Sequence, residues 1–320
     1  MAPVGGSARH QRGSHGGGAA GRDRRVGREA ADLVLSGGAA AWARPVRINP
    51  VKRRAGRWKA PATWWRGGAP ERVRLRSGTA VLMRVDPPVN SAYLRATYIL
   101  DAAVREGALV VNDPRGLGDA NEKLLPLAVG VPAPETIITA RSHDILEALE
   151  RWEVAVAKPL EGAGGRGVVM VRRSDPGLAA LIGLVTFQGT RQTVLQEYLP
   201  AVAEGDKRIF LLGGEPVGAI NHRASDQDFR CNLAVGAVAE ATVLDESDAE
   251  ICRRLHPRLE LLGLPLAGID VIGGRLTEVN VTSPTRLREI ELLTDDRPSD
   301  RIVEWITNAA SASGSATPEG

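Results

Sequence analysis

The sequence has few cysteines, no long apolar run and no phosphate loop of the common nucleotide-binding type. Its two cysteines, Cys231 and Cys252, have no Cys-x-x-Cys spacing, which argues against a disulfide framework or a zinc site. No apolar stretch approaches the roughly 18 residues that a membrane-spanning helix needs, and no secretion signal is recognisable. The sequence contains no Gly-x-x-x-x-Gly-Lys-Ser/Thr motif. We therefore expect a cytoplasmic protein in a reducing compartment, with no membrane partner.

Acidic residues are scarce in the first quarter of the 320-residue chain. Residues 1–78 hold 17 Lys and Arg against 4 Asp and Glu, whereas the remainder holds 24 against 34. The basic character therefore belongs to residues 1–78, and a nucleic-acid partner would concern that segment and not the acidic remainder. Neither a strand period nor a helix period is sustained there.

Three interpretations of residues 1–78 compete. They are a basic, disordered interaction tail, a transit peptide, and an incorrect reading frame upstream of the true start. Arg, Gly, Ala, Pro and Trp are the residues that GC-rich codons give out of frame, so we favour the frame error. The glycine density argues against the amphipathic helix of a transit peptide.

A glycine-dense loop, residues 161–167, follows an apolar run that ends at Lys158. The pattern Gly162-x-Gly164-x-x-Gly167 satisfies the dinucleotide fingerprint, which requires a helix after the third glycine. Here a β-branched run follows, which predicts a strand. A lysine, a glycine loop and a second strand are typical of a flap that lays N–H groups over a triphosphate. An ordinary glycine-rich turn is the alternative.

The stretch around Gly273-Gly274 predicts a β-hairpin whose register depends on the turn. A two-residue turn would place Asp270 opposite Thr277 and point it away from Glu278. A three-residue turn, residues 273–275, would place Asp270 opposite Glu278. We expect the three-residue turn.

In that register Asn280 shares a face with Asp270 and Glu278, two residues further along the strand. Two carboxylates and an amide oxygen are hard oxygen ligands of the kind that Mg²⁺ prefers. A solvated polar face is the alternative, but the hairpin is mostly apolar, and buried carboxylates must be paired or metal-bound. The hairpin therefore predicts a metal site.

Six motifs in order along the chain resemble the prokaryotic glutathione synthetases of the ATP-grasp superfamily, from about Val81 to about Thr307. The motifs are Asn112–Arg115, Asn121–Leu124, Lys158–Gly162, Gln196–Pro200, Gly205–Arg208 and Glu278–Thr285. The resemblance implies a ligase that joins γ-glutamylcysteine to glycine through an acyl phosphate. ATP would be the co-substrate, Mg²⁺ or alternatively Mn²⁺ the metal, and a homotetramer the assembly.

The resemblance also implies a role for each matching residue. ATP binding would fall to Lys123, Lys158, Gly162, Gly164, Gly165, Gly167, Gln196, Glu197, Tyr198, Leu199 and Asp206. Catalysis would fall to Arg208, Arg230 and Asn232, and substrate binding to Arg223, Ser283, Pro284 and Thr285. Metal binding would fall to Asp270, Glu278 and Asn280.

The chain departs from the family in a segment expected to form a lid, residues 223–240. Family members carry a small residue where Cys231 stands. They also carry a second glycine and a basic residue where Ala237 and Val238 stand. These changes put full closure of the lid and affinity for an anionic substrate in question.

The expected fold class is α/β with α+β lobes, an ATP-grasp fold with a truncated or replaced Rossmann-like N-terminal substrate domain. Residues 1–78 would be atypical, and residues 79–120 the remainder of the substrate domain. Residues 121–308 would be the ATP-grasp domain, with a lid lobe at about 121–198 and a C-terminal lobe at about 199–308. Residues 309–320 would be a disordered tail.

Two local expectations concern helix starts. Asp119 or Asn121 is expected to cap a short helix that carries Lys123. Ser247, with Glu250 three residues on, is expected to cap a helix over residues 247–262.

Two other functions stay open from the sequence. The chain could be another ATP-grasp ligase that adds an amine to a different carboxylate. It could also be a nucleotide-binding pseudoenzyme, if the N-terminal domain is not intact.

Overall fold

The computed structural model of the chain describes residues 25–26, 30–48, 52–54, 57–59, 65–224, 231 and 236–315. Within these residues three groups of elements follow one another: an N-terminal region, a four-stranded sheet and a five-stranded sheet. No helix of the described part is long and apolar enough to cross a membrane.

The N-terminal region is built on the long strand β3, to which β1, β2, β6 and β7 pair antiparallel. Beyond it, β8 and β9 run parallel and are joined by helix α1. The strands are β1 Arg25–Val26, β2 Leu33–Leu35, β3 Ala39–Ile48, β4 Lys52–Arg54, β5 Arg57–Lys59, β6 Trp65–Gly67, β7 Glu71–Arg74, β8 Ala80–Leu82 and β9 Leu109–Val111. The helices are α1 Ser91–Arg105 and α2 Pro114–Asp119, with a 3₁₀ turn at Ala30–Asp32.

The strands before residue 78 pack against α1. Ala39 and Leu75 are 0 % and 5 % exposed and belong to one core with Leu100 of that helix. The Ala39 amide donates to Oε1 of Glu106 at 3.0 Å, just beyond α1. The described residues of 30–48 and 65–78 are therefore folded onto the rest of the protein and are not a detached tail.

The four-stranded antiparallel sheet has the order β10-β13-β11-β12. Helices α3 and α4 pack on one face, where Ile145, Leu149, Ile182 and Leu195 form a separate core. The elements are β10 Thr136–Thr139, α3 Ser142–Trp152, β11 Val154–Pro159, β12 Val169–Arg172, α4 Leu178–Val185 and β13 Thr193–Glu197.

The five-stranded antiparallel sheet has the order β16-β15-β14-β17-β18. Its strands are β14 Asp206–Leu212, β15 Glu215–Arg223, β16 Val238–Ala241, β17 Leu266–Ile272 and β18 Arg275–Asn280. Its helices are α5 Glu246–Leu261, α6 Leu287–Leu293 and α7 Pro298–Ser315, and 3₁₀ turns lie at Leu125–Ala128 and Pro200–Glu204.

Different helices pack on the two faces of this sheet. Ile209 shares a core with Ile251 and Leu255 of α5. Phe210, one residue further and therefore on the other face, packs with Ile290 of α6 and Ile302 of α7. Side chains of even-numbered β14 residues up to Phe210 thus lie on the face away from α5.

Several expectations need correction. Lys123 lies in a turn and not in a helix, and the Asn121 side chain accepts from the Lys123 amide at 3.0 Å. Residues 122–132 run along β18, since the Val279 amide donates to the Glu122 carbonyl and the Leu276 amide to the Pro132 carbonyl. This segment therefore packs with the C-terminal lobe, and the sheet of the lid lobe begins only at β10.

Two helix ends also differ from expectation. Asp245, not Ser247, caps α5, because its side chain accepts from the Asp248 amide at 3.0 Å and Asp248 reaches back to the Asp245 amide. Helix α7 continues to Ser315, so the expected disordered tail is wrong for residues 309–315; residues 316–320 lie outside the described residues.

Candidate active site

The β17–β18 ribbon places its two carboxylates directly opposite each other. Asp270 pairs with Glu278, and Gly268 pairs with Asn280. Because cross-strand partners share a face, Asp270, Glu278 and Asn280 lie on one side of the ribbon. The amide group of Asn280 donates to Oδ2 of Asp270 at 3.2 Å, so the polar side chains meet. The expected juxtaposition is confirmed.

The turn reaches this register by a different route from the one expected. Ile272 pairs with Arg275, so the turn is the two-residue loop Gly273-Gly274, with φ of 55° and 72°. Both angles are positive, which glycine adopts without strain. A β-bulge between Asp270 and Val271 then shifts the register by one residue. The predicted three-residue turn is wrong, and the bulge supplies the shift.

Strand β14 pairs with the edge of β17 that β18 leaves free, and there Arg208 is the cross-strand partner of Asp270. Its guanidinium donates two hydrogen bonds to the Asp270 carboxylate, the one from Nη2 to Oδ2 at 2.8 Å. The two residues are 9 % and 6 % exposed. Burial acts to lower the pKa of Arg208, but the carboxylates of Asp270, Asp206 and Glu278 together more than offset it and raise the pKa. The pair thus neutralises two buried charges that would otherwise be costly.

Two lysines approach the same carboxylates. Lys123 Nζ lies 3.1 Å from Oε1 of Glu278 and donates to the Gly162 carbonyl at 2.6 Å. Lys158 Nζ donates to Oε1 of Gln196 at 2.7 Å. Burial lowers the pKa of Lys158, and the Glu278 carboxylate acts in the opposite direction. Lysine ammonium groups beside buried carboxylates suit the binding of phosphate oxygens.

The glycine loop is the tip of the antiparallel hairpin β11–β12, as expected. Gly164, Gly165 and Gly167 have φ of 65°, 73° and 73°, a region that other residues rarely adopt. A Cβ on Gly167 would lie 2.7 Å from Cγ of Pro159. The loop therefore needs glycine for its backbone path, and it lies over the mouth of the cleft beside Lys123.

One cleft collects most of the predicted nucleotide residues. It encloses about 840 Å³, with open solvent at its mouth included. Lys123, Lys158, Gly162, Gly164, Gly165, Gln196, Glu197, Tyr198, Leu199, Asp206, Asp270 and Glu278 line it. Residues 196–199 cross between the two sheets at its edge.

Asp206 adds a third carboxylate to the site. It is two residues before Arg208 on β14 and so shares a face with it. Burial and the Asp270 carboxylate raise the pKa of Asp206 well above its ordinary value. Its Oδ1 is buried without a hydrogen-bond partner among the described residues. Asp206, Asp270 and Glu278 supply hard oxygen donors of the kind that a divalent cation prefers, but no three acidic, histidine or cysteine side chains are already gathered for a metal ion among the described residues.

The predicted substrate-binding residues lie in two separate parts of the structure. Arg223 follows His222 on β15, so it points to the opposite face; it pairs with Glu240 at 3.2 Å and its side chain is 52 % exposed. The structure therefore does not bring Arg223 to the site. Ser283, Pro284 and Thr285 follow β18, and the Pro284 carbonyl accepts from Nη2 of Arg84 at 2.7 Å.

The expected lid is described only in part. Its ends belong to β15 and β16, and Cys231 between them is buried and lines the cleft. Burial raises the pKa of Cys231 to about 11, so the thiol stays protonated. The predicted catalytic residues Arg230 and Asn232 lie outside the described residues, and their roles stay predictions.

Sequence reasoning missed three side chains at the site. Glu122 accepts from the amides of Val281 and Thr282 at 2.8 and 3.0 Å and so fixes the loop after the metal ribbon. His222 lies opposite Asp206 on the site face of β15. Arg286 follows the Ser283–Thr285 motif. Strand alternation could have indicated His222 in place of Arg223, but no sequence pattern marks Arg286.

Two lobes that meet at a cleft with a glycine hairpin, two lysines and a carboxylate ribbon define the ATP-grasp class of ligases. Solved structures of this class share the fold. The ATP-grasp ligase PsnB complexed with precursor peptide PsnA2 and AMPPNP superposes with a TM-score of 0.55 at 15 % identity, covering 83 % of this chain and 86 % of that one. D-cycloserine synthetase DcsG gives a TM-score of 0.54 at 17 % identity, covering 71 % and 84 %.

The chain belongs to the prokaryotic glutathione synthetase family, whose members are ATP-dependent ligases. The ATP-grasp domain of that family matches residues 122–295, and its N-terminal domain matches residues 24–118. Glutathione synthetase of Thermosynechococcus vestitus is 44 % identical over 274 residues, 86 % of each chain. That of Salmonella typhimurium is 41 % identical over 229 residues, 71 % of this chain and 73 % of the other.

The N-terminal match corrects the extent of the resemblance. It begins at residue 24 and not near Val81. A segment translated out of frame would not match a family domain, so the frame-error hypothesis loses its support for residues 24–78. For residues 1–23 it stays a prediction.

Proposed function

We propose that the protein ligates γ-glutamylcysteine and glycine with ATP, giving glutathione, ADP and phosphate. The cysteinyl carboxylate would attack the γ-phosphoryl group of ATP to form an acyl phosphate. The glycine amine would then attack the acyl carbon and displace phosphate. The observation that supports this most is the cluster of Asp270 and Glu278 with Lys123 and Arg208 at a cleft roofed by a glycine hairpin.

Charge explains this arrangement. A carboxylate that approaches a triphosphate brings like charges together, so catalysis depends on positioning and on neutralisation. Lys123 and Lys158 are positioned to hold phosphate oxygens, and the 162–167 loop to cover them. Arg208 would orient the acyl phosphate from its place beside Asp270. Water must be kept from that intermediate until the amine attacks, which is a reason for a closing roof.

Asp270, Glu278 and Asn280 would hold the metal, which we propose to be Mg²⁺. Such an ion supplies positive charge to the phosphate oxygens when bound. The hard oxygen donors support Mg²⁺, and Mn²⁺ shares the same ligand preference. Restoring activity to chelator-treated protein with each ion in turn would distinguish the two.

The nucleotide would enter with its adenine against the residues that join the lobes. Residues 196–199 line the edge of the cleft, and the Gln196 side chain is held between Lys158 and Thr136. We further propose a homotetramer in the cytoplasm, testable by sedimentation of the purified protein and by cell fractionation. The two cysteines as free thiols are in keeping with that compartment.

The test is phosphate release from ATP by the purified full chain. Release that requires both γ-glutamylcysteine and glycine supports the proposal, and release that requires a different carboxylate would assign another ligase of the class. Nucleotide binding with no release in any mixture would indicate a pseudoenzyme.

Glu278→Gln keeps the shape of the side chain and removes its charge. It should lower kcat by about 10²- to 10³-fold or more, because the charge faces the reacting phosphates. Glu304→Gln, an exposed change on α7, is the matched control and should leave kcat unchanged. Full activity in Glu278→Gln would overturn the metal assignment.

A further inference from the structure

Helix α6 and the loop before it cover the site face of the five-stranded sheet. A Cβ on Gly268 would lie 3.4 Å from Cδ of Arg208 and 3.5 Å from Cβ of Pro284, so the loop passes directly over Arg208. A Cβ on Gly218 of β15 would lie 2.5 Å from Cγ2 of Ile290, so α6 rests on the same face. Arg286 lies between these two contacts along the chain, and it interacts electrostatically with Arg208 and Asp270 of the same face.

Arg286 has an unusual backbone for its residue type. Its φ is 95°, in the region that favours glycine, and it directly precedes α6. A side chain with a Cβ is strained there by about 1–3 kcal/mol, and such strain is concentrated at functional sites. Glycine or asparagine would make the same turn at less cost. The strain indicates that the guanidinium itself is useful.

The Arg286 guanidinium is partly buried and poorly paired. Its side chain is 20 % exposed, and Oε1 of Glu289 lies 3.7 Å from its Nη1. Its Nε has no hydrogen-bond partner among the described residues. Burial lowers the pKa of Arg286, an effect that Arg208 adds to. Arg208 differs, because both of its hydrogen bonds go to Asp270.

His222 is a second polar side chain that is buried on this face. It lies opposite Asp206, two residues along β15 from Ile220, and it is 4 % exposed. Its Nε2 has no hydrogen-bond partner among the described residues. Burial, with help from Arg208 and Arg286, lowers its pKa to about 4, so the imidazole is neutral. Arg286 and His222 are therefore electrostatic neighbours, and both have free hydrogen-bonding capacity.

We propose that Arg286, assisted by His222, binds a carboxylate of an amino-acid substrate on the metal side of the cleft. A planar guanidinium is the side chain best suited to a carboxylate, since it donates two parallel hydrogen bonds. The proposal rests on the ligase function above. Two carboxylates have this chemistry: that of the acceptor glycine, and the α-carboxylate of the glutamyl group of the donor.

The test variant is Arg286→Gly, which removes the guanidinium and relieves the backbone strain. It should unfold at the same temperature as the wild type or higher. The KM of one amino-acid substrate should rise roughly 10- to 100-fold, the loss expected for a hydrogen bond to a charged group. The KM of ATP should change less than about twofold, because the nucleotide lies against other residues. Arg286→Lys should recover part of the loss, and His222→Leu should raise the same KM by a smaller factor.

Substrate analogues identify which carboxylate is bound. If it is that of glycine, the wild type should prefer glycine to glycinamide, and Arg286→Gly should lose that preference. If it is the glutamyl carboxylate, the wild type should prefer γ-glutamylcysteine to the same peptide amidated at that group, and Arg286→Gly should lose that preference. Arg301→Ala, an exposed arginine on α7, is the control for lost charge.

Unchanged KM values for both amino-acid substrates in a folded, active Arg286→Gly would overturn this proposal while the ligase function stands. A wild-type protein that releases no phosphate with these substrates would instead overturn the ligase function itself.

Discussion

The roof and the floor of the cleft differ in how tightly they are packed. The floor, β17 and β18, has Ile269, Leu276 and Val279 fully buried, and its carboxylates are held by neighbouring strands. The roof, residues 160–168, belongs to no strand, and its internal backbone bonds are long, such as 3.4 Å from the Val168 amide to the Gly165 carbonyl. Charges that must be placed accurately lie on packed strands, while the part that admits the nucleotide has few contacts to break.

The largest loss of stability and activity should come from replacing Asp270 in the floor. Asp270→Asn leaves the buried Arg208 guanidinium without its counter-ion, and loss of one partner of a buried pair costs about 3–5 kcal/mol. We expect a much lower free energy of unfolding, measured with denaturant, together with loss of phosphate release. Asp300→Asn, which removes a carboxylate 3.9 Å from Arg297 on the surface, is the control and should cost at most about 1 kcal/mol. Equal stabilities of the two variants would contradict this account of the floor.

The floor could be predicted only in part from the sequence. The sequence correctly predicts that Asp270, Glu278 and Asn280 share one face of the ribbon. That prediction needs only the alternation of side chains along a strand and the pairing of Asp270 with Glu278. The bulge that creates the register was not predicted. It adds an unpaired residue, Thr277, whose hydroxyl donates to the Asp270 carbonyl, a contact between side chain and backbone that no sequence period encodes.

The N-terminal region escaped prediction for a different reason. Strand β3 begins with Ala39, Ala40 and Ala41, which are small and give little hydrophobic signal, yet Ala39 and Ala40 are almost fully buried. Ala39 is buried because it packs in one core with α1, and such packing is a tertiary property. Charge counts over residues 1–78 could not reveal it.

Glycine-to-alanine substitutions in the roof should differ in their effect on ATP binding according to what the added Cβ would contact. Gly164 and Gly167 have similar positive φ values, but a Cβ on Gly164 meets nothing within 4 Å, whereas one on Gly167 would meet Cγ of Pro159 at 2.7 Å. Both alanine variants bear the cost of a left-handed backbone, about 1–2 kcal/mol. Gly167→Ala must also move the loop, so we expect its KM for ATP to rise about tenfold and that of Gly164→Ala a few-fold. Both should unfold near the wild-type temperature, since the roof adds little to the core.

The reverse order of the two KM values would show that the roof is not positioned by its contact with Pro159. A large loss of thermal stability in either variant would show that the roof is as tightly packed as the floor.

The smallest effect should come from the ion pair that joins the two lobes beside the cleft. Arg275 of the floor ribbon pairs with Glu197 of β13, and the two side chains are 46 % and 23 % exposed. Solvent screens a pair of this kind, so Arg275→Ala should cost at most about 1 kcal/mol. Glu197 also keeps the hydrogen bond that its Oε1 accepts from the Glu135 amide at 3.1 Å, which holds it in place. The thermal shift between variant and wild type should be small at low salt and vanish near 1 M salt, where the screening length is about 3 Å. A shift that persists in high salt, with a raised KM for ATP, would mean that this contact and not the glycine roof sets how the lobes meet.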